Sequence, residues 1–176
     1  MGERSSPILR FQAGTGTDDR GRTQAEILAW DDGRLERVHD YIQWLFPLPE
    51  RSAFNAGAPR LTDADVQAFR DRDDLRVALG RALVRMLAFY GFAMRAGEAG
   101  DRIVVRTAAY RERARNWITP GNHNFLRISR MLRSLVLLGL EREARAILRA
   151  LEAVHAEDGD VIGPVALAHW RRAARP

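Results

Sequence analysis

The sequence predicts an all-α protein, a compact single domain of six or seven helices in orthogonal or bundle-like packing. Three observations carry this expectation. Apolar residues recur at three- and four-residue steps along most of the chain. Capping residues (Asp, Thr, Asn) precede those stretches, and Gly or Pro follows them. The connections between them are short, and no repeat of fixed period interrupts them. A length of 176 residues suits one such domain, which would bury roughly two-thirds of the surface of its unfolded chain.

Residues 1–25 are dense in Gly, Thr and Asp and are expected to form an arm ordered by docking, with Ile8, Leu9 and Phe11 as its anchor. Residues 26–174 form the helical domain proper. Asp31 or Asp32 can cap a helix running to about Phe46, with Leu35, Val38, Ile42 and Leu45 at helical spacing. Pro47 and Pro49 end it. Thr62-Asp63-Ala64-Asp65 approximates a capping box that opens a short helix through Phe69. Asp73 starts a longer helix with Leu75, Leu79, Leu83, Leu87 and Tyr90 on one side, and Gly91 is its stop. Ala96 to Asp101 reads as a loop. Ile103-Val104-Val105 is the one β-flavoured run, with little to pair with. A helix from about Ala108 to Trp117 leads to the turn Thr119-Pro120-Gly121. Asn122 then caps an amphipathic helix to Leu138, which Gly139 closes. Another helix spans Glu141 to about His155, Glu157 to Asp160 make a turn, and the last helix spans Pro164 to Ala173.

All 28 basic residues are Arg and there is no Lys, a bias that looks genomic rather than functional. The net charge of +5 divides unevenly: residues 100–176 hold 14 Arg against 8 acids, and residues 1–99 hold 14 against 15. An anionic partner would therefore be drawn to the C-terminal half. With no cysteine there is no disulfide framework, thiolate nucleophile or thiolate metal site, which fits a reducing compartment. The aliphatic run Leu135–Leu138 is far too short to span a bilayer. The polar start argues against a secretory signal, and Gly2 with Ser5 and Ser6 matches a myristoylation start only in part.

Two segments stand out: His39-Asp40-Tyr41-Ile42-Gln43-Trp44-Leu45-Phe46-Pro47-Leu48 and Asn122-His123-Asn124-Phe125-Leu126-Arg127-Ile128-Ser129-Arg130-Met131-Leu132-Arg133-Ser134-Leu135. On a continuous helix, His39, Gln43 and Phe46 would share one face, with Trp44 beside it. Trp44 could stack on a ligand, and Gln43 could hold a peptide backbone through its donor and acceptor. The competing reading makes Tyr41, Trp44 and Phe46 core. Asn122, His123 and Asn124 at a helix start could hold an anion, continued by Arg127 and Arg130 as a carboxylate or phosphate clamp. The competing reading is an ordinary cap followed by a solvated or ion-paired face.

No cofactor or metal is expected. The four histidines show no ligand spacing, no Walker motif or nucleophile elbow is present, and Gly14-Thr15-Gly16 lacks the ending of a phosphate loop. The aromatic segment permits a ligand-binding module, rather than an enzyme, with a peptide or anionic small molecule as partner. Weak, non-specific nucleic-acid binding through Arg142, Arg145, Arg149, Arg171, Arg172 and Arg175 is the alternative. An enzyme using His39 and His123 as acid and base is a third reading.

The two segments together resemble the opioid growth factor receptor conserved region. Asp19-Arg20-Gly21-Arg22, Leu61-Thr62, Phe89-Tyr90-Gly91 and Leu138-Gly139-Leu140-Glu141 fall in the same order as in that family. The resemblance covers roughly residues 11–173 and identifies a short, stand-alone, bacterial member. It implies an α-helical domain. From the vertebrate members it also implies receptor activity toward the peptide Met-enkephalin and peripheral membrane association, alongside an otherwise cytoplasmic location.

Overall fold

The structure is a computed structural model that describes residues 6–52, 55 and 57–176. Gly2 and Ser5 of the partial myristoylation start lie outside the described residues. The chain divides into two compact units, residues 1–82 and 83–176. The described residues form ten α-helices and one two-stranded sheet. The chain is thus mainly helical, but the expectation of an all-α domain of six or seven helices needs correction in both number and class.

In the first unit, α1 spans Pro7–Gln12 and α2 spans Gln24–Leu28. Ser6 accepts the Leu9 N–H and Pro7 takes the first helical position, where its missing N–H costs nothing. Thr23 and Glu26 close a full capping box on α2. Ile8, Phe11 and Ile27 are buried. Next come α3 (Asp32–Arg37), capped by Asp31, and the single turn α4 (Ile42–Leu45). The one helix expected from Asp31 to Phe46 is therefore two, because Val38 is extended at φ −92°, ψ 134°. Helical spacing alone could not show that break. The helix α5 (Asp63–Asp71) opens on the Thr62–Asp65 capping box read from the sequence. The helix α6 (Asp73–Tyr90) follows, and the boundary between the units falls within it.

In the second unit α6 ends at Gly91, whose φ of +88° only glycine adopts at little cost. A Cβ there would also lie 2.7 Å from the Tyr110 Cα. The strands β1 (Phe92–Ala96) and β2 (Arg102–Arg106) pair antiparallel, with Phe92 opposite Arg106 and Ala96 opposite Arg102. The run Ile103–Val105 thus does have a partner, contrary to expectation. That partner is the stretch directly after Gly91, whose Ala and Met content carries no strand signal. Thereafter α7 spans Tyr110–Trp117, α8 Asn124–Leu137, α9 Glu141–Ile162 and α10 Pro164–Ala173. The turn expected at Glu157–Asp160 is a kink inside α9, where Asp158 leaves helical geometry at φ −118°, ψ 25°. The helices α8, α9 and α10 pack on one another, and β2 lies against α9. Buried Phe125, Ile128, Met131, Leu132, Leu135, Ile147, Leu151 and Trp170 supply much of the core.

Candidate functional site

The residues singled out from the sequence fall into two groups, one in each unit. In the first unit, His39 follows the end of α3 and is exposed. It does not share a helix with Gln43, which corrects the common face expected for His39, Gln43 and Phe46. The chain is drawn out of helical geometry here by long-range polar contacts. Asp40 pairs with Arg22 at 2.8 Å and with Arg20 at 3.4 Å. Arg22 also donates to the buried Asp18 carboxylate at 2.6 Å. Burial works to lower the Arg22 pKa, but the hydrogen bonds to Asp40 and Asp18 outweigh it and hold the guanidinium above its ordinary value. The Trp30 ring lies under two guanidinium groups, Arg34 at 4.1 Å and Arg22 at 5.3 Å. Tyr41 is fully buried and donates to the Leu35 carbonyl at 3.0 Å.

Trp44 is 3% exposed, packs its ring 5.3 Å from that of Phe11 and donates its indole N–H to Asp19 at 3.0 Å. Gln12 Nε2 donates to the carbonyls of Trp44 and Leu45, and Gln24 Nε2 donates in turn to Gln12 Oε1. This buried chain of amides satisfies the carbonyls at the end of α4, which no further helical turn is there to bond. Sequence reasoning missed Gln12, Gln24 and Asp18. An amide in a Gly-rich stretch gives no sign of burial, although Ser6-Pro7 did mark a helix start. Gln43 is buried, with its Nε2 donating to Ser52 Oγ at 3.2 Å and, more weakly, to the His39 carbonyl at 3.4 Å. Its Oε1 is buried without a hydrogen-bond partner among the described residues.

In the second unit Asn122 acts as the expected cap in a shifted register. Its Oδ1 accepts the Asn124 N–H at 2.9 Å, and its Nδ2 donates to Thr119 Oγ1 and the Asn116 carbonyl. His123 is exposed at the entry to α8. Asn124 is fully buried, and its Oδ1 accepts from the Tyr90 hydroxyl at 3.2 Å and from Arg127 at 3.3 Å. Arg127 is itself 6% exposed, so its charge is held among protein groups. Arg130, one turn further on, is half-buried. Tyr90, absent from the sequence-derived set, thus belongs with Asn124 and Arg127, and its carbonyl accepts the Trp117 indole N–H at 3.2 Å.

Elsewhere in this unit a cavity of about 10 Å³ is lined by Leu87, Tyr90, Phe92, Ile128, Met131 and Leu151 among others. It is wholly apolar and holds at most one water, so no ligand fits it. Of the arginines on α9, Arg145 lies 4.0 Å from Glu141, and Arg149 lies 3.6 Å from Asp101. The arginine face is therefore partly neutralised. Arg106 pairs with Glu157 at 2.8 Å and covers the Tyr110 ring at 4.4 Å. Its hydrogen bond holds the Glu157 carboxylate below the usual range, and burial raises Tyr110. Among the described residues no group of three His, Asp or Glu side chains is arranged to hold a metal ion, and no helix is long and apolar enough to cross a membrane.

Comparison with known proteins bears on this arrangement directly. Residues 24–158 match the family model described as the opioid growth factor receptor conserved region. The opioid growth factor receptor of Rattus norvegicus is 41% identical over 122 residues, which cover 68% of this chain and 20% of that protein. The receptor of Homo sapiens is 40% identical, over 68% of this chain and 17% of its own length. The opioid growth factor receptor-like protein 1 of Xenopus tropicalis is 36% identical, over 63% and 21%. The chain thus spans about a fifth of the length of these relatives. No solved structure matches it. The resemblance carried by the two signature segments holds, and the chain belongs to the opioid growth factor receptor conserved-region family.

Proposed function

We propose that this chain is a receptor-like ligand-binding module, and that its ligand is a peptide or small molecule bearing a carboxylate or phosphate. The observation that carries the reading is the cluster at the start of α8. There Asn122, His123, Asn124, Arg127 and Arg130 follow closely in sequence at the entry to the helix and along its first two turns, with Asn124 and Arg127 in side-chain contact, in the segment matched by the family model. Exposed His123 and half-buried Arg130 form its accessible side. Arg127 and Asn124, fixed by each other and by Tyr90, form its rigid support.

In the first unit, buried Gln43 Oε1 has no hydrogen-bond partner among the described residues, and a peptide N–H that reached it would satisfy that acceptor. Within this unit Gln43 and exposed His39 are binding groups of their own, with buried Trp44 in a supporting role. The relatives are named as receptors, which supports binding over catalysis. Met-enkephalin, the peptide the family implies, is the first ligand to test. We place the protein in the cytoplasm with peripheral membrane association, and regard residues 1–25 as an arm docked onto the helical domain of residues 26–174.

The test is isothermal titration of the full chain with Met-enkephalin and with its C-terminal amide. Arg130→Gln and His123→Gln serve as variants because neither residue is fully buried. Binding of the free acid, loss of most affinity on amidation and a tenfold or greater weakening by Arg130→Gln are expected. Equal binding of acid and amide, or affinity untouched by both substitutions, would remove this cluster from the site.

A further inference from the structure

We infer that the outward stripe of α10 is a docking surface for an acidic amphipathic helix of a partner protein, an interaction separate from the ligand reading above. One face of α10 carries Pro164, Leu167, Ala168, Arg171 and Arg172, and Arg175 lies just past the helix end, at steps of three, one, three, one and three residues. These six line a shallow concavity of about 370 Å³. The stripe is apolar in its first half and cationic in its second. Its opposite face is fixed: Trp170 is fully buried and donates its indole N–H to the Phe125 carbonyl at 3.0 Å, with Ala166 and Ala174 buried beside it. The helix cannot roll to hide the stripe without breaking that bond and exposing the indole.

The charge on this surface is not balanced locally. Residues 161–176 contain no acid. Arg171 is met by Glu152 at 2.7 Å, but among the described residues no carboxylate is paired with Arg172 or Arg175. Arg133 adds a third guanidinium by donating to the Arg175 carbonyl at 3.2 Å. A bare cluster of this kind at the end of an apolar strip is complementary to one kind of occupant. It should be a helix with small or aliphatic residues that seat on Leu167 and Ala168, followed by carboxylates that reach Arg172 and Arg175. Pro164 and Ala168 are small enough to let a second helix approach closely.

The probe is a fluorescein-labelled helical peptide of Leu, Ala and Glu, with Leu at every third or fourth position and Glu on one flank. It is titrated by anisotropy into the full chain at physiological salt. Controls are the same composition scrambled and the same peptide with Gln for Glu. Binding of the amphipathic acidic peptide alone is expected. It should weaken at least tenfold in the double variant Arg172→Glu, Arg175→Glu and again in Ala168→Glu; all three positions are exposed, so the melting temperature should not move. The inference is overturned by absence of binding at millimolar peptide. Equal binding of the scrambled peptide, or affinity indifferent to both variants, overturns it too. So does binding of phosphatidylserine vesicles in place of the peptide, which would make this a lipid-facing surface.

Discussion

Replacing Trp44 by Ala separates the two roles open to the most aromatic segment of the chain. The side chain is 3% exposed, lies against Phe11 and spends its one polar group on Asp19. Truncating a packed large aromatic costs about 3–5 kcal/mol, in transfer energy and residual cavity. The lost hydrogen bond to a carboxylate would add up to about 3 kcal/mol if the acceptor stayed dry. Asp19 is exposed and regains water, so the increment is closer to about 1 kcal/mol. The expected total is about 4–6 kcal/mol, which at roughly 2–4 °C per kcal/mol for a chain of this size lowers the melting temperature by about 8–24 °C. Trp44→Phe keeps most of the packing and loses the N–H, so it should fall between wild type and Trp44→Ala. Urea unfolding followed by far-ultraviolet circular dichroism measures all three. A Trp44→Ala protein that melted with the wild type but had lost ligand binding would refute the reasoning and make Trp44 a contact residue.

Gly91→Ala should destabilise by about 3 kcal/mol or more. It combines a left-handed backbone costing about 1–2 kcal/mol with a Cβ overlapping the Tyr110 backbone; a melting temperature within a degree of wild type would show that α7 yields instead. Deleting residues 1–23 removes Gln12, Asp18, Asp19 and Arg22 although the family match begins at residue 24. The first unit should then lose protection from amide exchange throughout α4, and retained protection would show that the amide chain is dispensable. Glu26, Asp74 and Glu157 sit below their ordinary values, lowered chiefly by hydrogen bonds from Thr23, Arg72 and Arg106. Their contribution is present above the unfolded values of 4.5 for Glu and 3.8 for Asp and is lost as pH falls through the lower folded values. The urea midpoint should therefore drop below about pH 4.5, and a midpoint flat to pH 3 would contradict these pairings. Nucleic-acid binding, if measured, should be weak and collapse with salt, since Arg145 and Arg149 already face acids; sequence-selective binding at physiological salt would promote that alternative.

Much of the fold was legible because it is written locally. The capping box at Thr62, the start of α6 at Asp73, the stop at Gly91 and the span Pro164–Ala173 all follow from residues adjacent in sequence. What escaped is non-local. The segment from Val38 to Tyr41 has helical spacing, yet Asp40 is held by arginines 18 and 20 residues upstream and the helix breaks. Strand β1 has one strand-favouring residue, Phe92, followed by Ala, Met, Arg and Ala, and forms by pairing with β2. The first 25 residues were read as an arm on composition, but the Gln24–Gln12–Trp44 relay depends on burial that composition does not report. For the candidate site, the sequence located Asn122, Asn124 and Arg127 on one helix start. It could not show that Tyr90 donates to Asn124 beside Arg127, or that Gln43 Oε1 is buried without a partner among the described residues.

Anion recognition at the start of α8 can be read from the melting temperature of the full chain titrated with Met-enkephalin and, separately, with its C-terminal amide. A ligand that binds only the folded protein stabilises it by about 2.7 kcal/mol at one hundred times its dissociation constant. The account predicts a rise with the free acid that grows with concentration, is largely absent with the amide and is lost in Arg130→Gln. A rise of equal size with the amide, or one that survives Arg130→Gln, would contradict the assignment of anion recognition to the start of α8.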